Sequence, residues 1–267
     1  MRRFGDHIIL TIAAIVMVVP LAMVLAGAMT GGGLSGMWNR WPSWSGLHAN
    51  IARLADMTGA AVTPSVTNMV WTSVSLASGV AVLTTAIAFL AAYAMVFLDR
   101  RATRVWFWIT LATLYFPIEA RMLPTFDIAA DLGLTNTMAG MVLPILPLAL
   151  GTLVFRQHLM TFPTEIMEAA RLDGAGPLKF LLEFVLPMSM VPIGAVMVIT
   201  FMVGWNQYLW PLMISLDNGL FPLMRGLNLA QLGSGPSMVL AALSILPPLI
   251  LVLAFLRLMS RVTAIRA

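Results

Sequence analysis

The chain has 267 residues, 60% hydrophobic and 10% charged, with a mean hydropathy of +0.93. Soluble chains carry about 25% charge, so a water-soluble domain is excluded and the protein is integral to a membrane. No cysteine is present, which rules out disulfides, a thiolate nucleophile and a zinc-thiolate site, and the net charge of +4 rests on fourteen arginines and Lys179 in scattered clusters, unlike a nucleic-acid-binding face.

Met1-Arg2-Arg3 precedes an uncharged run from Ile8 to Met29. At about 22 residues this run exceeds the apolar core of a signal peptide, about 7–15 residues, and reads as a first transmembrane helix kinked at Pro20; a signal peptide is the alternative. Thr30 to about Ser65 is rich in Gly and polar residues and reads as an extracytoplasmic loop, anchored at the interface by Trp38, Trp41 and Trp44.

Val66 to Leu98 is an uncharged run longer than the roughly 20 residues a span needs, so it tilts or projects beyond the bilayer. The cationic turn Asp99-Arg100-Arg101-Ala102-Thr103-Arg104 closes it. A third span starts at Val105-Trp106-Phe107-Trp108, passes Tyr115-Phe116-Pro117 and meets Glu119 and Arg121 before Pro124. Asp127 and Asp131, with Ile128, Ala129 and Leu132, mark a short extramembrane helix. A fourth span, about Asn136 to Phe155, contains Pro144 and Pro147 and ends at Arg156-Gln157-His158. After a polar interruption from Met160 to Glu183, a fifth run (Phe184 to Leu216) and a sixth (Gly226 to Leu256) lead to the basic tail Arg257, Arg261 and Arg266. The expected fold is an all-α bundle of six transmembrane helices. In this arrangement eleven of the fifteen basic residues lie on the side of the termini, and because cytoplasmic loops carry the excess of Lys and Arg, both termini and the polar interruption are expected to be cytoplasmic.

That interruption carries the densest local signals. Phe162-Pro163-Thr164 predicts a helix start with Thr164 as cap, and Glu165 and Glu168 fall in the first turns, where the helix dipole favours anions. Ala169 and Ala170 leave a close-packing surface, and Asp173-Gly174 predicts a left-handed helix stop. A second helix is expected after Gly176-Pro177, with Leu178, Leu181, Leu182 and Val185 on one face. By spacing alone, an interfacial amphipathic hairpin remains an alternative to a docking element.

Glu168-Ala169-Ala170, two further residues, Asp173-Gly174-Ala175 and the later Leu186-Pro187 resemble the cytoplasmic loop of permease subunits in ATP-binding-cassette importers. The resemblance extends over the chain in span count and loop position. It implies that residues 66–267 form the core permease domain, with residues 1–65 as the first helix and its loop. It also implies a coupling loop at about 160–186, in which Glu168, Ala169, Ala170, Asp173 and Gly174 dock on an ATPase. Residues 114–125 (Leu-Tyr-Phe-Pro-Ile-Glu-Ala-Arg-Met-Leu-Pro-Thr) and 204–212 (Gly-Trp-Asn-Gln-Tyr-Leu-Trp-Pro-Leu) narrow the likeness to the carbohydrate-uptake, maltose permease-like branch. Within it they resemble the E-type permeases of sn-glycerol 3-phosphate uptake systems.

The implied role is inward movement of a small polar solute, sn-glycerol 3-phosphate or a glycerophosphodiester, across a bacterial inner membrane; a mono- or disaccharide is the alternative. The implied partners are a second permease forming a heterodimer, two copies of an ATP-binding subunit holding ATP and magnesium, and an extracytoplasmic substrate-binding protein. The chain itself has no phosphate-binding loop, its sole lysine following Pro177-Leu178, so no cofactor is expected on it.

Ionisable groups at membrane depth require an explanation. Arg121 is the candidate for attracting a phosphate in the pathway, with Glu119 orienting it; an outward-reaching Arg121 paired with Glu119 is the structural alternative. Asn206, Gln207 and Trp210 are expected to share a helical face with Val203, the amides hydrogen-bonding hydroxyls and Trp210 stacking on an apolar face, though polar residues also join helices in bilayers. An ion-coupled carrier would call for buried midplane carboxylates, of which only Glu119 is a candidate, and no nucleophile–base pair points to an enzyme. His7, His48 and His158 lack metal-ligand spacing.

Overall fold

In a computed structural model the protein is helical throughout its regular structure. The structure describes residues 2–58, 64–98, 100–147, 149–217, 219–228 and 230–266, without the side chains of residues 2–5, 100–102, 118–119 and 261–266. In chain order the helices are α1 (Arg2–Met29), α2 (Gly33–Gly36), α3 (Trp44–Met57), α4 (Val66–Tyr93), α5 (Arg100–Thr113), α6 (Ile118–Asp131), α7 (Met138–Val142), α8 (Ala149–Met160), α9 (Thr164–Leu172), α10 (Pro177–Phe180), α11 (Leu186–Met188), α12 (Met190–Trp205), α13 (Leu209–Ile214), α14 (Leu223–Gly226) and α15 (Gly235–Arg266). π-helical turns extend α4 over Ala94–Leu98 and α10 over Leu181–Val185.

Three stretches are long and apolar enough to cross a membrane: Asp6–Met29, Val66–Leu98 and Gly235–Ser260. Two bent pairs, Met138–Ile145 with Ala149–Met160 and Pro177–Met188 with Met190–Trp205, raise the number to five among the described residues. The expected third span is absent as a single helix. α5 has 14 residues, about 21 Å at roughly 1.5 Å per residue, which falls short of a hydrocarbon core of about 30 Å. The chain turns at residues 114–117 and restarts with Pro117 before α6, so Glu119 and Arg121 begin a new helix instead of ending a span. The cationic stretch from Arg100 is likewise the first turn of α5, with Asp99 outside the described residues.

Prolines account for both bends. Pro147 has no N–H to donate, and the fourth span breaks around it after a 3₁₀ turn at Leu143–Ile145. At Ser189 the axis turns by 76°; Pro192, three residues on, cannot donate to the carbonyl of Met188 and its ring crowds it. Ser189 is fully buried at this corner, and its hydroxyl shares a 3.2 Å hydrogen bond with His158 Nε2 of α8.

The chain divides into two compact units, residues 1–72 with 217–247, and residues 73–216 with 248–267. In the first, the stretch expected as a loop is folded. Ser43 caps α3 by accepting a hydrogen bond from Gly46 N, and the buried Asn50 amide donates to the carbonyls of Ala28 (2.9 Å) and Thr30 (2.8 Å). These bonds hold the chain leaving α1, while Trp38, Trp41 and Trp44 face outward at 89%, 90% and 72% exposure, consistent with an interfacial belt.

The second unit is built on α4, whose buried face reads Ala77, Val80, Ala81, Ala88 and Ala92. Small residues let helix backbones approach closely in bilayers. At Gly204 of α12 a Cβ would lie 2.9 Å from Ala77 Cα, so this contact depends on glycine. Trp205, 2% exposed, stacks on Phe201 with ring centroids 5.9 Å apart, and Arg156 of α8 places its cation 4.3 Å from the Phe107 ring centroid of α5.

Candidate functional site

The Glu168 segment forms α9, with the expected acidic residue Glu165 in its first turn and Arg171 in its last. Pro163 occupies the N-cap position and no side chain caps the helix; Thr164 is already the first helical residue, so the expected Thr cap is not formed. The helix stop is as expected and complete: Gly174 adopts φ +71°, its N–H donates to Arg171 O (3.0 Å), and Ala175 N donates to Ala170 O (2.9 Å). This pairing of a left-handed glycine with two back-turned bonds satisfies the last carbonyls of the helix.

Burial divides the motif. Glu165, Glu168, Ala169, Arg171, Leu172, Asp173 and Gly174 are exposed, whereas Ala170 is 1% exposed. Ala170 therefore anchors α9 from inside the chain and presents no side chain to a partner. Beneath it lies an aromatic cluster. Phe180 is the hub, with ring centroids 5.4 Å from Phe97, 5.8 Å from Phe162, 5.9 Å from Phe184 and 6.5 Å from Tyr93. Tyr93 Oη donates to Pro177 O at 2.7 Å, joining the end of α4 to the start of α10. A cleft of about 210 Å³ lies alongside, lined by Tyr93, Phe97, Met167, Arg171 and Phe180 among others.

The second helix departs from the expected single apolar face. Leu181 and Val185 are buried, but Leu178 and Leu182 are 67% and 52% exposed; Leu178 lies ahead of the π-helical turn at Leu181–Val185, which carries more residues per turn and shifts the positions within it out of the i, i+3, i+4 register. Lys179 and Glu183 approach within 3.9 Å, both more than half exposed, a pair of little energetic consequence.

The pathway candidates separate in the same way. α12 ends at Trp205, and Asn206 and Gln207 lie beyond it, their amides donating back to Met202 O (2.9 Å) and Val203 O (3.2 Å). α13 then restarts at Leu209, so Asn206, Gln207 and Trp210 do not share one helical face with Val203. Trp210 is 3% exposed and its indole N–H donates to Gly140 O at 3.0 Å, tying α13 to α7; its ring faces the interior and is not available for stacking on a solute. The Glu119 side chain lies outside the described residues.

Arg121, in contrast, lines a cavity of about 290 Å³ together with Thr84 and Ala88 of α4, Thr110 and Thr113 of α5, and Thr152 of α8, beside the broken backbone at Leu146 and Pro147. The guanidinium is half-buried, and no carboxylate pairs with it among the described residues. Thr84 reaches Leu146 O at a long 3.4 Å, and Thr113 donates to Thr110 O at 2.7 Å. Sequence reasoning passed over these threonines and Tyr93. Their signal is faint, hydroxyls within apolar runs, and only the packing shows that they converge. No group of three or more His, Asp or Glu that could hold a metal occurs among the described residues.

The chain is 38% identical over 199 residues, 72% of its length and 71% of the relative's, to the sn-glycerol-3-phosphate transport system permease protein UgpE of Brucella melitensis. It is 41% identical over 177 residues, 64% and 63% of the two lengths, to the protein of the same name from Salmonella typhi. Its fold matches a chain from the crystal structure of a bacterial ABC transporter involved in the import of the acidic polysaccharide alginate, with a TM-score of 0.76 over 96% of each chain at 20% identity. Residues 84–263, which include α9, its aromatic seat and the Arg121 cavity, match the binding-protein-dependent transport system inner membrane component family. Because that match covers more than half of the chain, the protein belongs to the family of inner membrane components of binding-protein-dependent transport systems.

Proposed function

We propose that this chain is one of two permease subunits of an ATP-binding-cassette importer and that α9 is the element on which an ATP-hydrolysing subunit docks. The observation that carries the reading is the division of α9 into an exposed face, Glu165, Glu168, Ala169, Arg171 and Asp173, and a buried anchor at Ala170 seated on the Phe180 cluster. Such a helix transfers force because its seat is packed and hydrogen-bonded to α4 through Tyr93, while its outer face remains available. Glu168, Ala169, Asp173 and Gly174 form the contact with the ATPase, and Ala170 holds them in position. ATP and magnesium reside on the two ATPase subunits. A second, homologous permease completes the pathway, and an extracytoplasmic binding protein delivers the solute.

Both termini and α9 face the cytoplasm in this reading, supported by the concentration of basic residues on that side. The substrate is sn-glycerol 3-phosphate or a glycerophosphodiester, supported by the names of the relatives at 38% and 41% identity. Arg121 is retained as the pathway residue. Glu119 stands two positions from it in α6, and Asn206 and Gln207 stand at the end of α12.

The test is Glu168→Lys in the complete importer. Reversing a charge within a docking face costs affinity and specificity, so ATPase co-purification is expected to fall at least about tenfold, with ATP-dependent uptake falling in parallel. Full co-purification and full uptake would refute α9 as the docking element.

A further inference from the structure

We infer that the cavity around Arg121 is a binding subsite for the anionic head of a small phosphorylated polyol, with Arg121 holding the phosphate and the threonine hydroxyls holding the remainder. The inference rests on the permease reading above and deepens it.

The composition of the wall is the argument. Among the described residues that line the cavity, Arg121 alone carries a charge, and it stands beside four threonines. Packing alone would place an apolar residue there, since the neighbours Ile87, Ala88, Trp106 and Ile109 are apolar. The planar fork of Arg binds phosphate oxygens through two parallel N–H donors, so a phosphate is the group that this lining suits.

Thr84, Thr110, Thr113 and Thr152 face the same space from three helices. A threonine hydroxyl both donates and accepts, which suits the hydroxyls of a polyol. Thr84 and Thr152 are 1% and 7% exposed, so they contribute from within the bundle and not from its surface. The backbone at Leu146–Pro147 beside the cavity is irregular; in membrane proteins such backbone persists where it is buried or lines a cavity.

At about 290 Å³ the cavity stands at the lower limit of ligand pockets, about 300–1,000 Å³. It accommodates a three-carbon phosphate more readily than a disaccharide.

The experiment measures ATP-driven uptake of labelled sn-glycerol 3-phosphate into proteoliposomes containing the complete importer and its binding protein, as a function of concentration, for the unchanged chain and for Arg121→Gln, Arg121→Lys and Thr152→Val. Arg121→Gln is expected to raise the half-saturating concentration at least about tenfold, the scale of a lost charged hydrogen bond. Arg121→Lys is expected to recover part of this loss, keeping charge without the fork. Thr152→Val, close in shape, is expected to raise it about two- to tenfold.

Concentration dependence of Arg121→Gln or of Thr152→Val identical to the unchanged chain overturns the subsite while leaving the permease reading intact. Uptake of neutral disaccharides but no organophosphate by the unchanged importer overturns both the subsite and the substrate reading. Absence of ATP-driven uptake of either class overturns the permease reading itself.

Discussion

Replacing Phe180 by Ala tests whether the aromatic cluster is what seats α9. Phe180 is 8% exposed and meets four other rings within 6.5 Å. Phe→Ala in a core costs about 3–5 kcal/mol, and because this cluster lies at the edge of the bundle we take the lower value, about 3 kcal/mol. Each 1.4 kcal/mol is about tenfold in an equilibrium, so the local opening of residues 160–186 is expected to become roughly a hundredfold more populated. Arg171 and Lys179 are exposed side chains on helices, and a protease needs the helix opened before it can cut there. Limited trypsin digestion of the detergent-solubilised protein is therefore expected to cleave after Arg171 and Lys179 about a hundred times faster in Phe180→Ala. Leu178→Ala, at a position 67% exposed, is the control and is expected to stay within about threefold, as surface substitutions usually do. Equal cleavage rates in Phe180→Ala and the unchanged protein would show that α9 is held by something other than this cluster.

Two further substitutions separate conformation from contact. Gly174→Ala is expected to destabilise the end of α9 by about 1–2 kcal/mol, since a Cβ there meets nothing within 4 Å and the cost is purely that of a side chain at φ +71°; Gly176→Ala, equally open but at φ −68°, is expected to be neutral in the same digestion, and equal effects of the two would contradict this account. Trp210→Phe removes the donor to Gly140 O and leaves that carbonyl unsatisfied, an expected loss of about 1–3 kcal/mol seen as a lower unfolding temperature in detergent; an unchanged temperature would assign Trp210 little part in tying α13 to α7.

The legible features share one property, that their cause is local. The apolar runs Ile8–Met29 and Val66–Leu98 exceed what a span requires, and both are single helical stretches in the fold. The stop at Asp173-Gly174 follows from the one residue able to take a left-handed turn at low cost. Where hydropathy alone was used, boundaries failed. The third span looked continuous because Val105–Phe116 is apolar, but the chain turns before Pro117, and the residues expected at the end of a span stand in the first turn of α6. The run Phe184–Leu216 contains a corner at Ser189 and a break after Trp205, neither of which changes the mean hydropathy. Thr30–Ser65 reads as a loop because its composition is polar and Gly-rich, yet over residues 30–57 Asn50 and Ser43 order the chain through hydrogen bonds to backbone groups about twenty residues away and nearby, respectively.

By itself the sequence determined that the protein lives in a membrane, that its regular structure is helical among the described residues, and that Glu168–Gly174 is a helix outside the apolar runs stopped by its glycine, since each depends on composition, run length or the backbone preference of one residue. Tertiary structure alone decided which part of each motif is available. It buried Ala170 while leaving Glu168 exposed, turned Trp210 inward onto Gly140, and brought Arg121 into one cavity with Thr84, Thr110, Thr113 and Thr152. The reason is that these residues are separated by tens of positions, and helix packing, which depends on small-residue contacts such as Gly204 on Ala77, sets which faces meet. A π-helical turn or a proline bend rotates everything after it, so the face a distant residue presents follows from the accumulated geometry of the chain and not from its own neighbours.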